Sequence, residues 1–169
     1  MPVLFVPVGI SGSGKSTYFK GRGIDVVSSD SIRKELFGDE SCQNDPKLVF
    51  ELAHNRVRET LESGKDVVFD ATNVSKWARD ELMKAVPAGV KKVCILFLVG
   101  PEEALARQKK RARQVPEDVV IRQWDTMLSD LKFIPNEFDE IVTAQDFKTN
   151  LVLQTEGCRC VSRQNSTIG

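Results

Sequence analysis

Four apolar, β-branched runs recur along the chain, and most are followed by a helical pattern; no other feature restricts the fold as much. "VLFVPVG" (3–9), "IDVVSS" (24–29), "DVVFD" (66–70) and "KVCILFLVG" (92–100) are hydrophobic at nearly every position. A strand with one wet face alternates with period two, so near-continuous runs predict a parallel sheet covered on both faces. A weaker fifth run, "FDEIVTA" (138–144), follows a loop with proline and asparagine. Between the runs, Asp45-Pro46 sets an N-cap and a proline at the first helical position, for a helix reaching Ser63-Gly64. Ser75 is the expected cap of "KWARDELMKAV", Pro101 opens "PEEALARQKKRAR", and Pro116 opens "PEDVVIRQWDTMLSDL". This rhythm predicts right-handed βαβ units in a doubly wound, mostly parallel α/β sheet with helices on both faces. Pro7 runs against it, because a proline inside a strand removes a ladder hydrogen bond.

The length of 169 residues suits one domain with a sizeable core. We place the domain at 1–145 and a C-terminal extension at 146–169, loosely ordered at its end, where "CRCVSRQNSTIG" has no periodicity. Lysine plus arginine equals aspartate plus glutamate, 24 each. That balance excludes coating nucleic acid by bulk charge, but not a local basic groove. The cysteines (42, 94, 158 and 160) form no paired CxxC knuckle, and Cys94 lies in an apolar run as a small core residue. No run is long enough to span a bilayer and no basic n-region precedes the first strand, so the expected location is cytoplasmic.

"GISGSGKS" (9–16) matches G-x-x-x-x-G-K-[ST] between an apolar strand and a helix, the context this motif requires. Gly9, Gly12 and Gly14 let the backbone curl its amides round one anion, with Ser11 and Ser13 carried between them. Lys15 is placed to reach β and γ phosphates, the Ser16 hydroxyl to ligate Mg²⁺, and Thr17 to touch the inner phosphates. A tight strand-to-helix turn alone would need neither the lysine nor the hydroxyl. The loop alone does not separate a kinase from an ATPase or GTPase, but no guanine-reading N-K-x-D follows, which argues against a GTPase switch.

Ligands bind outside the carboxyl ends of strands in such sheets, so the strand ends at Gly9, Ser28-Ser29 and Asp70 converge. Asp70, with Thr72 and Asn73 in "DATN", is either a functional strand end, with its carboxylate near the metal or its waters, or a polar cap on its loop. Asp30, in "SSDSIRKELFG", is either a helix cap or the base that takes a proton from an attacking hydroxyl. Arg33 lies one helical turn on and suits an anionic group of the acceptor. "RQKKRAR" (107–113) holds five basic residues in seven. It reads as a solvated face, a lid over ATP or a nucleic-acid track, with Arg111 inward and Lys109 and Lys110 in water.

The ordered set "GISGSGKST", "SSDSIR", "VVFDATN" and an arginine-rich helix leading into "VPEDVV" resembles the phage-type polynucleotide kinase group of P-loop phosphotransferases, from Val3 to Leu131. The resemblance implies a P-loop kinase fold with an arginine-rich lid helix. It implies Asp30 as general base, Arg33 on a phosphate of the acceptor strand, and Arg111 (or Arg107) bracing the donor phosphates. Asp70 would support the acceptor site or the metal. The implied reaction is transfer of the γ-phosphate of ATP, with Mg²⁺, to a nucleic-acid hydroxyl, with DNA expected ahead of RNA and no membrane involved.

Many members of that group carry a phosphatase or ligase module, and none is expected within these 169 residues. The acceptor is then either a 5′-hydroxyl end or, as in related small phage kinases, the hydroxymethyl group of a modified base such as 5-hydroxymethyluracil. A buried base would have to be flipped out of the stack. Trp77, Trp124, Phe37 and Phe50 are candidates for stacking on it, against the plainer reading of helix packing. The rival readings are a kinase of a sugar or nucleotide-sugar and a non-catalytic ATP-binding switch.

Overall fold

The computed structural model describes residues 1–144. The extension expected over 146–169, with Cys158 and Cys160, lies outside the described residues. Five strands, β1 (Val3–Val8), β2 (Asp25–Ser28), β3 (Val67–Asp70), β4 (Lys91–Leu96) and β5 (Glu140–Thr143), form one sheet in the order β2-β3-β1-β4-β5. Every pairing is parallel. The helices are α1 (Lys15–Phe19), α2 (Ser29–Phe37), α3 (Pro46–Glu62), α4 (Lys76–Met83), α5 (Pro101–Gln108), α6 (Glu117–Asp130) and α7 (Ile134–Glu137). All five expected strands are present, and the chain reverses its direction of winding beside β1.

Alternate residues of the strands feed two cores. Leu4, Val6, Val8, Val67, Phe69 and Cys94 pack on one face with the α3 row Val49, Ala53, Val57 and Leu61, which repeats every fourth residue. Val68, Val93 and Ile95 face the other way, onto Tyr18, Phe19 and Phe97. Both faces are therefore dry along the three central strands, which is why their runs are continuous rather than alternating, while the edge strands β2 and β5 keep exposed residues.

The capping residues act as their chemistry predicts. Asp45 accepts from the Leu48 amide and Ser75 from the Ala78 amide. Ser28 caps α2 by accepting from the Ser31 amide, which leaves Asp30 inside the first turn. Asp30 is thus not the N-cap. Arg79 ties the loop after β3 to the end of α6 and to α7: fully buried, it pairs with Glu137 at 2.5 Å and donates to the carbonyls of Asn73, Val74 and Asp130.

Pro7 also finds its account. β1 pairs with β3 only at Leu4 and Phe5, whereas it pairs with β4 along its whole length. In a parallel strand a residue's N–H and C=O point to the same neighbour. The Pro7 carbonyl accepts from the Asn73 side chain at 2.9 Å, on the β3 side, so the missing N–H lies beyond the last β1–β3 pair. The Phe69 carbonyl, which a residue-7 N–H would meet if that register continued, accepts from the same Asn73 side chain at 3.1 Å, so a side-chain amide replaces the missing ladder bond.

One expectation is corrected. The helix opened by Pro101 ends at Gln108, and residues 109–113 are turns and bends. A continuous helix would stack Arg107 on Arg111 and Lys109 on Arg113, like charges one turn apart, which is unfavourable. The chain instead tightens into turns, with the Arg111 amide donating to the Gln108 carbonyl at 2.8 Å. The basic segment is a loop hung from α5.

Candidate active site

The loop between β1 and α1 is gripped from three sides. The Gly9 amide donates to the Thr72 carbonyl at 3.0 Å, and the Ser11 amide to Gln123 Oε1 of α6 at 2.8 Å. Gly12, at φ 85°, lies against α5: a Cβ there would stand 2.6 Å from the Ala104 carbonyl oxygen. Only glycine meets both conditions. Helix α1 has five residues, so the anion cradle is chiefly the loop's amides and the first amides of the helix, which have no intrahelical acceptor.

Lys15 is buried and curls back over the loop, donating to the carbonyls of Gly9 and Ile10, both at 2.8 Å, and to Ser13 Oγ at 3.3 Å. Burial lowers its pKa to about 8, opposed by the charges of Asp70 and Asp30 and assisted by Arg111. Asp70, at the end of β3, is buried, and burial raises its pKa; a hydrogen bond from the Ser16 hydroxyl and the Lys15 charge act against the rise. Ser16 and Asp70 therefore meet, and offer two hard oxygens side by side. Mg²⁺ in phosphate sites takes one or two protein oxygens and completes its shell with phosphate and water, so this donor pair fits it. Among the described residues no group of three or more histidine, cysteine or acidic side chains could hold a metal alone.

Asp30 faces the same space. Its Oδ1 accepts from Arg33 at 3.0 Å and its Oδ2 pairs with Arg113 at 2.9 Å. Arg33 lies nearly buried, with its guanidinium 5.8 Å from the centre of the Phe50 ring.

Two cavities adjoin the loop. The first, of about 1310 Å³, is lined by Gly12–Gly14, Thr17, Tyr18, Arg22, Arg107 and the ends of β4 and β5. The second, of about 570 Å³, is lined by Lys15, Ser16, Asp30, Arg33, Asp70, Thr72 and Arg113, with Phe50 in its wall. Gly12, Gly14 and Arg111 line both. Arg111 is exposed on its loop yet lines both spaces. Lys109 and Lys110 are exposed too, with Lys110 at the rim of the first cavity. Arg107 donates to the Ser13 carbonyl at 3.1 Å and pairs with Glu103.

Asn73 does not join them as expected. Buried at φ 52°, it spends its amide on the carbonyls of Pro7, Phe69 and Ala71, and so closes the gap between β1 and β3. Of the aromatic candidates, Phe37, Phe50 and Trp124 pack against the core, whereas Trp77 is 73% exposed. Sequence reasoning missed Gln123, whose only signal is a polar residue in a helical pattern. It also missed the particular role of Arg113 within the basic run, and Gln108, whose Oε1 accepts from the Val115 amide at 2.7 Å and so closes the base of the basic loop.

A five-stranded parallel sheet in this order, with the glycine loop after its central strand, is an α/β P-loop kinase fold. The family model described as an AAA domain matches residues 4–134, and the chain belongs to that family. No curated protein matches the chain. Among solved structures, a chain of the Pnkp1/Rnl/Hen1 RNA repair complex superposes with a TM-score of 0.69 at 22% identity, over 78% of this chain and 45% of that one. This chain thus spans under half of that relative's length. A gluconokinase from Sinorhizobium meliloti 1021 matches at TM-score 0.51 and 22% identity, over 75% of each chain. A shikimate kinase from Acinetobacter baumannii matches at 0.54 and 15%, over 93% of this chain and 94% of that one. These likenesses describe the fold. No helix among the described residues is long and apolar enough to cross a membrane.

Proposed function

We propose that the chain is an ATP-dependent kinase that transfers the γ-phosphate to a hydroxyl on a nucleic acid, DNA in preference to RNA. The observation that carries this reading is the pair of cavities that share Gly12, Gly14 and Arg111 in their walls. One is large enough for a nucleotide, the other holds a carboxylate among arginines, and a phosphoryl group beside their shared residues would lie between Lys15 and Asp30. Catalysis of this transfer is mostly positioning and charge stabilisation. Lys15 swings from the loop carbonyls to the β and γ phosphates, and Arg111, with Arg107 behind it, covers charge on the donor side. Ser16 and Asp70 would hold Mg²⁺, which when bound neutralises phosphate charge.

Asp30 accepts the proton of the acceptor hydroxyl as its oxygen bonds to the γ-phosphorus; the bond from phosphorus to the β,γ-bridging oxygen breaks and ADP leaves. Arg33 and Thr72 face the acceptor. The hydroxyl is that of a 5′ end or of a hydroxymethylated base, and the chemistry is the same for both.

A second reading, a kinase of a small polyol, is favoured by the size of the acceptor cavity, which lies in the range of small-molecule sites. Transfer of label from γ-labelled ATP with Mg²⁺ separates the two. The acceptors are DNA with free 5′-hydroxyl ends, DNA with blocked ends and internal 5-hydroxymethyluracil, and a panel of sugars. Label on either DNA is the expected result, and its position names the hydroxyl. Label on sugars alone would overturn the nucleic-acid reading.

A further inference from the structure

The Asp30 carboxylate is held at both oxygens, and its two arginines differ in kind. Arg33 comes from the same helix, its side chain is 10% exposed, and the Phe50 ring lies under it. Arg113 arrives from the basic loop after α5, its side chain is 27% exposed, and it has a second carboxylate in reach, Glu40 at 4.0 Å on the α2–α3 loop. The loop that carries it spans from Gln108 to Val115, closed by the hydrogen bond between those two residues, so its tip can shift while its base stays. Arg33, Arg113 and Asp30 together carry a net positive charge at the wall of the acceptor cavity, while both proton-accepting oxygens of Asp30 are occupied.

We propose that Arg113 is a specificity-determining residue that reads an anion on the acceptor: a phosphodiester beside the reacting hydroxyl draws Arg113 off Asp30, and so frees the carboxylate oxygen that takes the proton. The inference rests on the reading of Asp30 as base and of a nucleic acid as acceptor. A phosphodiester accepts from a guanidinium in the same planar, two-pronged geometry as a carboxylate, so the exchange replaces one charge-assisted pair by another. A neutral polyol offers Arg113 no such partner, and would leave Asp30 clamped. Arg33, fixed against Phe50, remains on Oδ1 throughout and keeps the carboxylate aimed.

The test compares the protein and its Arg113→Gln and Arg113→Lys variants on two DNAs that carry the same acceptor hydroxyl. In one the flanking linkages are phosphodiesters; in the other they are methylphosphonates, which are neutral and of nearly the same shape. Thermal melting and ATP binding check that each variant is folded. The protein is expected to favour the charged DNA about tenfold or more in kcat/KM, the order of one charge-assisted contact. Arg113→Gln should lose most of that preference, chiefly by gaining activity on the neutral DNA, where Asp30 is no longer clamped, and in part by binding the charged DNA less tightly; Arg113→Lys should recover part of it. A preference unchanged in Arg113→Gln, with both DNAs still phosphorylated and Asp30→Asn inactive, overturns the role of Arg113 alone. Phosphorylation of neither DNA overturns the nucleic-acid reading and this inference with it.

Discussion

The two ends of the site, proposed above as donor and acceptor ends, are built from different materials. The donor end is one contiguous loop, residues 9–17, held by backbone bonds to Thr72 and Ile10, by Gln123, and by the close approach of α5 to Gly12. The acceptor end is assembled from α2, β3 and the basic loop, and it is held by ion pairs among partly exposed side chains. Backbone contacts in a packed setting fix geometry at little further entropic cost, whereas exposed ion pairs are individually weak and exchangeable. The difference suits a protein whose donor is constant and whose acceptor must be admitted, read and released.

The sharpest way to break this contrast is at Lys15. Lys15→Ala should keep the fold and lower transfer by about a thousandfold, since it removes a preorganised charge from the donor phosphates. Near-normal transfer by a folded variant would mean that the loop is not the donor site. Asn73 tests where the donor side's scaffold ends. Asn73→Ala should cost about 2–4 kcal/mol in denaturant unfolding, because three carbonyls lose their donor and alanine disfavours a positive φ. The acceptor KM should stay near that of the unaltered protein. A raised KM with unchanged stability would return Asn73 to the acceptor site.

The smallest effect is a proton. Lys15 sits at about 8 in the free protein, chiefly through burial, and polyphosphate should restore its ordinary higher value. Nucleotide binding should then take up roughly 0.9 proton at pH 9 and roughly 0.1 at pH 7, read by calorimetry in buffers of different ionisation enthalpy. By the same linkage the unfolded chain binds the extra proton between pH 8 and 10.5, so this group makes the free protein more stable as pH rises across that window. Equal uptake at both values would place Lys15 outside the phosphate cradle.

What the sequence disclosed follows the same division. The strands were legible because continuous apolar runs have one physical meaning in a sheet covered on both faces, and the donor loop because its eight residues are consecutive. The caps at Asp45 and Ser75 were legible because capping is local. The end of α5 was not, since "PEEALARQKKRAR" has good helix formers throughout, whereas the crowding of its charges and the bond from the Val115 amide to Gln108 both favour a stop at Gln108. Arg113 and Gln123 were illegible for a different reason. Their partners, Asp30 and the Ser11 amide, lie 83 and 112 positions away, and nothing local marks either residue for that contact. Pro7 and Asn73 were each read separately; only the register of β1 against β3 shows that one answers the other.

The central claim is that Asp30 takes the proton of the acceptor, and Asp30→Asn tests it most directly. Asparagine keeps the shape and can still meet Arg33, but it accepts no proton, while Ser28, not Asp30, caps the helix. Parallel measurements of ATP affinity, melting temperature and single-turnover label transfer to the accepted DNA are expected to show unchanged affinity, a small change in melting, and transfer slowed by about a hundredfold or more. A variant that loses stability yet transfers phosphate at the original rate would contradict the account and make Asp30 a structural partner of its two arginines.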